Sequence, residues 1–442
     1  MEKMQLSKIA SVMGVSAPES DVLIDKVIIS PDKAHPGCLY FELLPGTASN
    51  ALALGASAAV STVPGPGRIV VPDVMKAMEK FAAWHRRLFH TWILGITGSV
   101  GKTTIKEMTH NILASDGPAV KTYRDIDMEA GLPLALLGLS WEDKSAVLEV
   151  GFNRPGSIRE MSEVMRPSAA LITAIGTNHL EQCGSREALL EEKLAITQGM
   201  SPSAPLIING DDDMLQHAYE ILSQEIISYG MENSDVDFKG RVLSEGLQGS
   251  ELEVSYYGRK QQIYVPKWGK AGAYNALASF TAGIIAGIEP EVAAARIASF
   301  TPAPHRQSIL HFGEITVLDD SCSANPESVK EALRLLGMLS AKRRIAVLGE
   351  MPDLGVTSEN AHRAVGRRAA QCGADLLLCV GEHAAFTVEE ASRMGGVRAL
   401  AFSDIASLAT YLANDKRPGD AVLIKGSKQQ KLSDLIPMVW DR

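Results

Sequence analysis

A glycine-rich segment between an apolar run and a helical pattern is the part of this sequence best suited to chemistry. Residues 95–104 read Gly-Ile-Thr-Gly-Ser-Val-Gly-Lys-Thr-Thr, overlap the predicted strand Trp92–Thr97 and precede a helix predicted to begin near Ile105. In such a turn, backbone N–H groups and the helix N-terminus surround phosphate oxygens, the lysine pairs the outer phosphates, and a hydroxyl can bind Mg²⁺. The segment predicts a nucleotide-phosphate site formed by Gly98, Ser99, Gly101, Lys102, Thr103 and Thr104.

The segment departs from the general phosphate-loop pattern at one position. Ile96 stands where the strict pattern has glycine. An ordinary glycine-rich turn between a strand and a helix is therefore the alternative interpretation. Nucleotide binding by itself would also leave kinases, GTPases and ligases open.

Three further side chains could act beside this loop. Glu149 ends an apolar strand, and His179 follows the next predicted strand along the chain. The carboxyl ends of parallel strands form the usual ligand-binding edge of a sheet, so both side chains should lie there. Lys193 lies on a predicted helix. Taken singly, each is more often a surface carboxylate, a structural histidine or a solvated lysine, and only their combination favours a metal or catalytic role.

Arg306 could reach the same phosphates from another part of the chain. It follows Thr301–His305, whose prolines and polar residues indicate a linker. A planar, permanently charged guanidinium suits a transferring phosphoryl group, and domain closure could deliver it from a linker. The alternative is a linker arginine in a surface ion pair.

The elements that must position these residues indicate an α/β fold of three domains. A chain of 442 residues is long enough for about three domains. Residues 1–90 indicate a small α/β domain, residues 91–300 a central parallel-sheet domain that carries the phosphate loop, and residues 301–442 a Rossmann-like domain of alternating strands and helices. The hydrophobic content of 46% provides ample core for this architecture.

The composition of the chain limits which binding partners and which cellular compartment we expect. The net charge of -9 and the lack of a long basic run argue against nucleic acid. The five cysteines are scattered without CxxC spacing, which favours the reducing cytoplasm. Ala271–Ile288 is uncharged and long enough to span a membrane, but its alanines, glycines and polar residues favour a buried helix. We expect a cytoplasmic protein that acts on small molecules and not at a membrane.

Several short motifs occur in an order that extends over nearly the whole chain. They are Pro36–Phe41, Thr97–Thr104, Gly131–Pro133, Asn178–Glu181, Asn275–Ala278, Asp319–Pro326, Leu348–Gly355, His362 and Lys425–Ser427. Together they resemble the Mur ligase family, and most closely those members that add D-alanyl-D-alanine to UDP-MurNAc-tripeptide in peptidoglycan precursor synthesis. The resemblance implies a monomeric ligase that uses ATP and Mg²⁺ to form an acyl phosphate and then an amide bond.

The resemblance also implies roles for individual residues. Thr103, Glu149 and His179 are expected to bind Mg²⁺, and Lys193 is expected to be a carbamylated lysine that joins them. A carbamate turns an ammonium into a carboxylate-like group, which explains how a lysine could serve beside cations. The expected catalytic residues are Lys102, His179, Lys193 and Arg306.

Further residues are expected to contact the nucleotide and the substrates. By similarity, Asn275 and Arg306 would lie near the adenine and the phosphates, and Asp320 on the ribose side. The candidate substrate-binding residues are Ser30, Asp125, Asp127, Asn325, Lys425 and Ser427.

Some positions depart from the usual sequence of the family where substrate would be recognised. Ser30-Pro31-Asp32-Lys33 replaces an Asp-Ser-Arg type motif, and Asp125 and Asp127 add negative charge to a loop that is usually asparagine-rich. Two alternatives therefore stay open beside the ligase described above. One is a related ligase that joins a different carboxylate and amine, and the other is a nucleotide-binding scaffold without turnover.

Overall fold

In the part of the chain that the structure describes, three larger sheets follow one another along the sequence, and a two-stranded sheet accompanies the first of them. The computed structural model describes residues 1–16, 21–123, 128–176, 180–246, 249–266, 269–302, 304–352 and 354–440. Asp125, Asp127 and His179, which were expected in the site, lie outside the described residues. The three sheets and their helices confirm the predicted α/β fold class.

The first sheet contains four parallel strands in the order β3-β4-β5-β6, beside a short antiparallel pair, β1 and β2. Its elements are β1 (Met4–Gln5), α1 (Leu6–Met13), β2 (Leu23–Ile24), β3 (Lys26–Ile28), β4 (Cys38–Phe41), α2 (Ala48–Ala53), β5 (Ala58–Ser61), β6 (Arg68–Val70) and α3 (Val74–Arg86). Helix α3 begins after Asp73, whose side chain accepts a hydrogen bond from the Lys76 N–H and so caps the helix.

The second sheet is the largest and carries the phosphate loop. Its strands are β7 (Trp92–Thr97), β8 (Ala119–Lys121), β9 (Ser145–Glu149), β10 (Ala169–Ile172), β11 (Leu206–Asn209), β12 (Ile226–Gly230), β13 (Phe238–Gly246), β14 (Gly249–Tyr256) and β15 (Arg259–Val265). Its helices are α4 (Lys102–Leu113), α5 (Met128–Leu137), α6 (Ser157–Met165), α7 (Leu180–Cys183), α8 (Arg186–Leu194), α9 (Ala218–Ile221), α10 (Lys270–Ile285) and α11 (Pro290–Ala298).

The strand order of this sheet is β15-β14-β13-β12-β11-β10-β7-β9-β8. The predicted parallel pairing is confirmed from β8 to β13. The edge formed by β13, β14 and β15 is instead antiparallel and was not predicted. The central strand of this edge, β14, alternates buried residues with more exposed ones, as expected for a strand with one face towards water.

The third sheet has the order β16-β17-β21-β18-β19-β20, with an antiparallel β16 at one edge of otherwise parallel strands. Its elements are β16 (Ser308–Phe312), β17 (Ile315–Asp320), α12 (Pro326–Met338), β18 (Arg343–Leu348), α13 (Ser358–Gln371), β19 (Leu376–Val380), α14 (Ala384–Met394), β20 (Arg398–Phe402), α15 (Ile405–Asp415), β21 (Asp420–Lys425) and α16 (Leu435–Trp440). Alternate strand residues belong to two separate apolar clusters, so helices cover both faces.

The uncharged stretch that resembled a membrane span is a buried helix, as predicted. Helix α10 covers most of it and packs within the core of the second sheet. Within the described ranges, no helix combines the length and the apolar character needed to span a membrane.

Candidate active site

The phosphate loop has the glycine conformations that close backbone approach requires. Strand β7 ends at Thr97 and α4 begins at Lys102, three residues before the predicted start. Gly98 and Gly101 have φ values of 134° and 83°. A Cβ atom on Gly98 would collide with the Thr173 hydroxyl, and one on Gly101 would lie 2.6 Å from Asn275 Oδ1. The loop therefore presents backbone at the helix N-terminus, as a phosphate cradle needs.

The Lys102 side chain folds back over this loop. Its Nζ donates a hydrogen bond of 2.7 Å to the Gly98 carbonyl. Burial lowers the pKa of Lys102, the nearby Glu149 carboxylate opposes that shift, and Arg306 adds to it. The ammonium thus lies inside the loop, where phosphate oxygens could replace the carbonyl as its partner.

Ser99 and Thr104 are buried hydroxyl residues of the loop. The Ser99 N–H donates to the Ala174 carbonyl at 2.9 Å, and its hydroxyl accepts from the Gly176 N–H at 2.9 Å. Thr104 is buried in the first turn of α4. The contacts of Ser99 therefore join the loop to the segment that follows β10.

Thr103, Glu149 and Arg306 converge beside the loop. The Thr103 hydroxyl donates to Glu149 Oε1 at 3.1 Å, and Arg306 Nη2 lies 3.5 Å from the same hydroxyl oxygen. The Arg306 Nε is buried without a hydrogen-bond partner among the described residues. Two hard oxygen donors and a guanidinium therefore meet at one point, which suits a divalent cation together with phosphate.

Lys106 also belongs to this cluster, although the sequence did not single it out. Its Nζ donates to the Thr122 carbonyl at 3.1 Å and lies 3.3 Å from Glu107 Oε1 and 3.6 Å from Glu149 Oε2. The side chain is only 1% exposed. Its position four residues after Lys102, on the same face of a helix, was the signal that could have identified it.

Lys193 is buried, contrary to the ordinary interpretation of a solvated lysine. Its Nζ lies 5.7 Å from the centre of the Phe152 ring. Burial, together with the positive charge of Lys102, lowers the pKa of Lys193 to about 7 against the opposing effects of Cys183 and Glu192. A large fraction of the amine is therefore uncharged near neutral pH.

Asp320 and Lys425 pair with each other at the carboxyl ends of β17 and β21 in the third sheet. Lys425 Nζ lies 3.0 Å from Asp320 Oδ2 and also donates to the Ser323 carbonyl. The other oxygen of Asp320 accepts from the Gln307 N–H at 3.1 Å. This contact fixes the residue that follows Arg306, so the third sheet holds the arginine in position.

The remaining expected residues have separate structural contacts. Asn325 caps α12, since its Oδ1 accepts from the Ser328 N–H at 2.8 Å. Ser427 is buried and its carbonyl accepts from the Gln430 N–H at 3.2 Å. The Ser30 hydroxyl donates to Asp32 beside the first sheet, and Ser30 is not among the residues that line the cleft between the second and third sheets.

A cleft of about 1110 Å³ lies between the second and third sheets. One wall contains Thr103, Lys106 and Glu149, and Arg306 extends into it from the linker. The opposite wall is formed by residues 321–323 after β17 and by Lys428, Gln429, Lys431, Ser433 and Asp434 after β21. The carboxyl edges of both sheets therefore face one space, as expected of a ligand site in α/β proteins.

The sequence matches two protein families along most of its length. The Mur ligase middle domain matches residues 96–283, and the Mur ligase, glutamate ligase domain matches residues 305–428. The UDP-N-acetylmuramoyl-tripeptide–D-alanyl-D-alanine ligase of Bacillus subtilis is 30% identical over 382 residues, which cover 85% of this chain and 82% of that protein. The ligase of the same name from Escherichia coli is 28% identical over 449 residues, 99% of this chain and 98% of that protein.

Solved structures show the same fold. The structure of MurF from Acinetobacter baumannii aligns with a TM-score of 0.90 and 23% identity over 100% of both chains. MurF from Thermotoga maritima in complex with ADP aligns with a TM-score of 0.80 and 23% identity over 94% of this chain and 97% of that chain.

Proposed function

The chain belongs to the Mur ligase family, and on that premise we propose that it joins D-alanyl-D-alanine to UDP-N-acetylmuramoyl-tripeptide at the expense of ATP. The observation that carries the proposal is the convergence of Lys102, Thr103, Glu149 and Arg306 in a cleft between two sheets. The names of the similar ligases supply the substrate pair. The product would be a precursor of peptidoglycan, made in the cytoplasm by a monomeric enzyme.

We assign the three predicted domains to three tasks. Residues 1–90 would bind the UDP part of the substrate, with Ser30 as a candidate contact. Residues 91–300 would bind ATP through the phosphate loop and Asn275. Residues 301–442 would bind the incoming amine and complete the nucleotide site through Asp320, with Asn325, Lys425 and Ser427 as further candidates.

The phosphate loop supports binding of the ATP phosphates. Its glycines leave no space for side chains, and the Lys102 ammonium already pairs with an oxygen inside the loop. The role assigned to Lys102 is to hold the outer phosphates through the transfer, with Arg306 placed over the transferring group. Both groups are positively charged hydrogen-bond donors that are already in place before the reaction begins. They therefore stabilise the negative charge that develops on the transferring phosphoryl group.

The oxygen donors beside the loop fit Mg²⁺. The Thr103 hydroxyl and the Glu149 carboxylate lie 3.1 Å apart, and small hard cations prefer such ligands. His179 and a carbamate on Lys193 would complete the set. The lowered pKa of Lys193 supports this modification, because only an uncharged amine reacts with CO₂. When bound, Mg²⁺ would neutralise phosphate charge and orient the nucleotide.

The chemistry would take place in two steps. An oxygen of the tripeptide carboxylate attacks the terminal phosphorus of ATP, so that an acyl phosphate forms and ADP leaves. The amine of D-alanyl-D-alanine then attacks the acyl carbon, loses a proton, and displaces inorganic phosphate. Water must be excluded between the steps, which closure of the cleft around Arg306 would achieve.

Phosphate release from MgATP tests this proposal directly. The purified enzyme should release phosphate only when UDP-MurNAc-tripeptide and D-alanyl-D-alanine are both present, and Lys102→Ala should abolish the release. If ATP binds and this pair causes no turnover, the substrate assignment is wrong and a ligase for another carboxylate and amine is favoured. If ATP binds and no amine or carboxylate causes turnover, the protein is a scaffold.

A further inference from the structure

Three potential metal ligands converge in the third sheet, outside the nucleotide cleft. Glu350 follows the carboxyl end of β18, His383 follows the end of the adjacent strand β19, and His362 lies in α13. Each offers one nitrogen or oxygen atom, and these atoms all lie within 4.8 Å of one another. Neighbouring parallel strands bring the first two residues together, and the helix that connects those strands supplies the third.

The hydrogen bonds of His362 define which ring nitrogen is free to act as a ligand. Its Nδ1 lies 2.8 Å from the Ser358 carbonyl oxygen, which can only accept a hydrogen bond, so Nδ1 carries the proton. The Met351 N–H approaches Nε2 at 3.4 Å, which is consistent with a lone pair on that atom. The same arrangement, with one ring nitrogen donating to a carbonyl, orients metal-binding histidines in many proteins.

The carboxylate of Glu350 is held towards both rings. Its Oε1 accepts from the His383 N–H at 2.7 Å, and this bond directs Oε2 to within 2.9 Å of His383 Nδ1 and 3.5 Å of His362 Nε2. A lone pair on His362 Nε2 and the negative Oε2 thus face each other. A cation placed between these two atoms would be attracted to both of them.

We propose that Glu350, His362 and His383 bind a divalent transition-metal ion of the Zn²⁺ class. Two imidazole nitrogens and one carboxylate oxygen are typical zinc ligands, and a fourth tetrahedral position would be left for water. Mg²⁺ favours oxygen ligands and would select the Thr103 and Glu149 oxygens instead. The side chains of Glu350 and His383 are 21% and 28% exposed, so an ion can enter from solvent.

The position of this site indicates what the metal would stabilise. The Glu350 N–H donates to Gln430 Oε1 at 2.7 Å, and Gln430 Nε2 donates to the Val380 carbonyl at 3.2 Å. Gln430 lies between Gln429 and Lys431, which line the nucleotide cleft. A metal would therefore join the loops after β18 and β19 and fix the segment that forms one wall of the cleft.

Metal binding can be measured on the full-length, untagged protein after treatment with EDTA. Titration with Zn²⁺ in excess MgCl₂, which fills the oxygen-ligand sites, should show one Zn²⁺ bound per chain. Co²⁺ in its place should give the visible absorption of a tetrahedral site. His383→Gln should weaken Zn²⁺ binding by about 100-fold or more, whereas His217→Gln, which alters an exposed histidine elsewhere, should not.

A second variant keeps the test independent of folding. Glu350→Gln preserves the shape of the side chain and should also lose Zn²⁺, with a melting temperature in EDTA close to that of the unaltered protein. The proposal is wrong if the unaltered protein binds no Zn²⁺ in excess Mg²⁺. It is also wrong if Glu350→Gln and His383→Gln retain full affinity.

Discussion

Replacement of Lys106 tests how much a single buried ammonium stabilises the cluster of side chains beside the phosphate loop. We expect Lys106→Met to lower the free energy of unfolding by about 3 kcal/mol, because it removes the buried partner of two carboxylates, Glu107 and Glu149. Lys121 pairs with the same Glu107 but is 37% exposed. Lys121→Met should therefore cost less than about 1 kcal/mol. Denaturant unfolding of both variants checks this, and equal losses would contradict it.

The buried amine of Lys193 is expected to make the free energy of unfolding depend on pH. In the folded chain its amine is uncharged above about pH 7, whereas in the unfolded chain it stays charged up to its ordinary pKa of 10.5. Between these values the unfolded state binds more protons, so the free energy of unfolding rises with pH, by up to about 1.4 kcal/mol per pH unit. Lys193→Met lacks this contribution.

Unfolding of both proteins in CO₂-free buffer between about pH 7 and about pH 9 measures the effect. The unaltered protein should gain stability relative to Lys193→Met as the pH rises. A stability difference that does not change with pH would show that the amine is charged in the folded state. Added bicarbonate should stabilise only the protein that retains the lysine, if a carbamate forms.

At the scale of elements, two helices each begin directly after a glycine in the left-handed conformation. The Gly→Ala variants of these two glycines form a matched pair. Gly101 precedes α4 with φ 83°, and Gly156 precedes α6 with φ 84°. A Cβ on Gly101 would lie 2.6 Å from Asn275 Oδ1, whereas one on Gly156 would meet nothing within 4 Å. Both Ala variants bear the same backbone strain of about 1–2 kcal/mol, but only Gly101→Ala displaces the phosphate loop.

We expect Gly101→Ala to lower the rate of phosphate release by about 100-fold, since a shift of about 1 Å in a catalytic loop has that effect. Gly156→Ala should stay within about threefold of the unaltered rate once both proteins are folded. Similar losses in the two variants would mean that backbone strain, and not the contact with Asn275, controls the loop.

The elements around the site were largely predictable because their signals are local. Strand β7, the glycine turn and α4 follow one another within about twenty residues, and each has its own composition. The antiparallel edge β13–β15 was missed because alternating strands without a distinctive turn carry a weak signal. Helix α4 starts earlier than predicted, since the last residues of the loop already belong to its first turn.

The site was predictable only in part because its remaining contacts join distant parts of the chain. The sequence identified Thr103, Glu149 and Arg306, but not that Arg306 reaches the Thr103 hydroxyl. Lys106 lies four residues after Lys102 on α4, but this spacing alone does not assign it a role, and its burial against Glu149 does. The cluster of Glu350, His362 and His383 likewise depends on the pairing of β18 with β19.

At the scale of the whole molecule, the linker between the second and third sheets holds Arg306 in a strained segment. His305 and Gln307, on either side of the arginine, have φ values of 63° and 56°, which are unfavourable for residues other than glycine. Asp319 holds the His305 ring at 2.6 Å, and Asp320 holds the Gln307 N–H. The third sheet therefore maintains the strain and directs the guanidinium into the cleft.

Arg306→Ala tests whether this arrangement serves catalysis. Loss of a preorganised charge that acts on a developing transition state lowers kcat by about 10²–10³-fold. The affinity for ATP should change by less than about tenfold, because the phosphate loop and Lys102 remain. Arg296→Ala, which removes an exposed arginine from α11 just before the linker, should leave both values unchanged. If Arg306→Ala instead weakened ATP binding and left kcat intact, the linker would serve to capture the nucleotide, and closure of the cleft would not depend on this arginine.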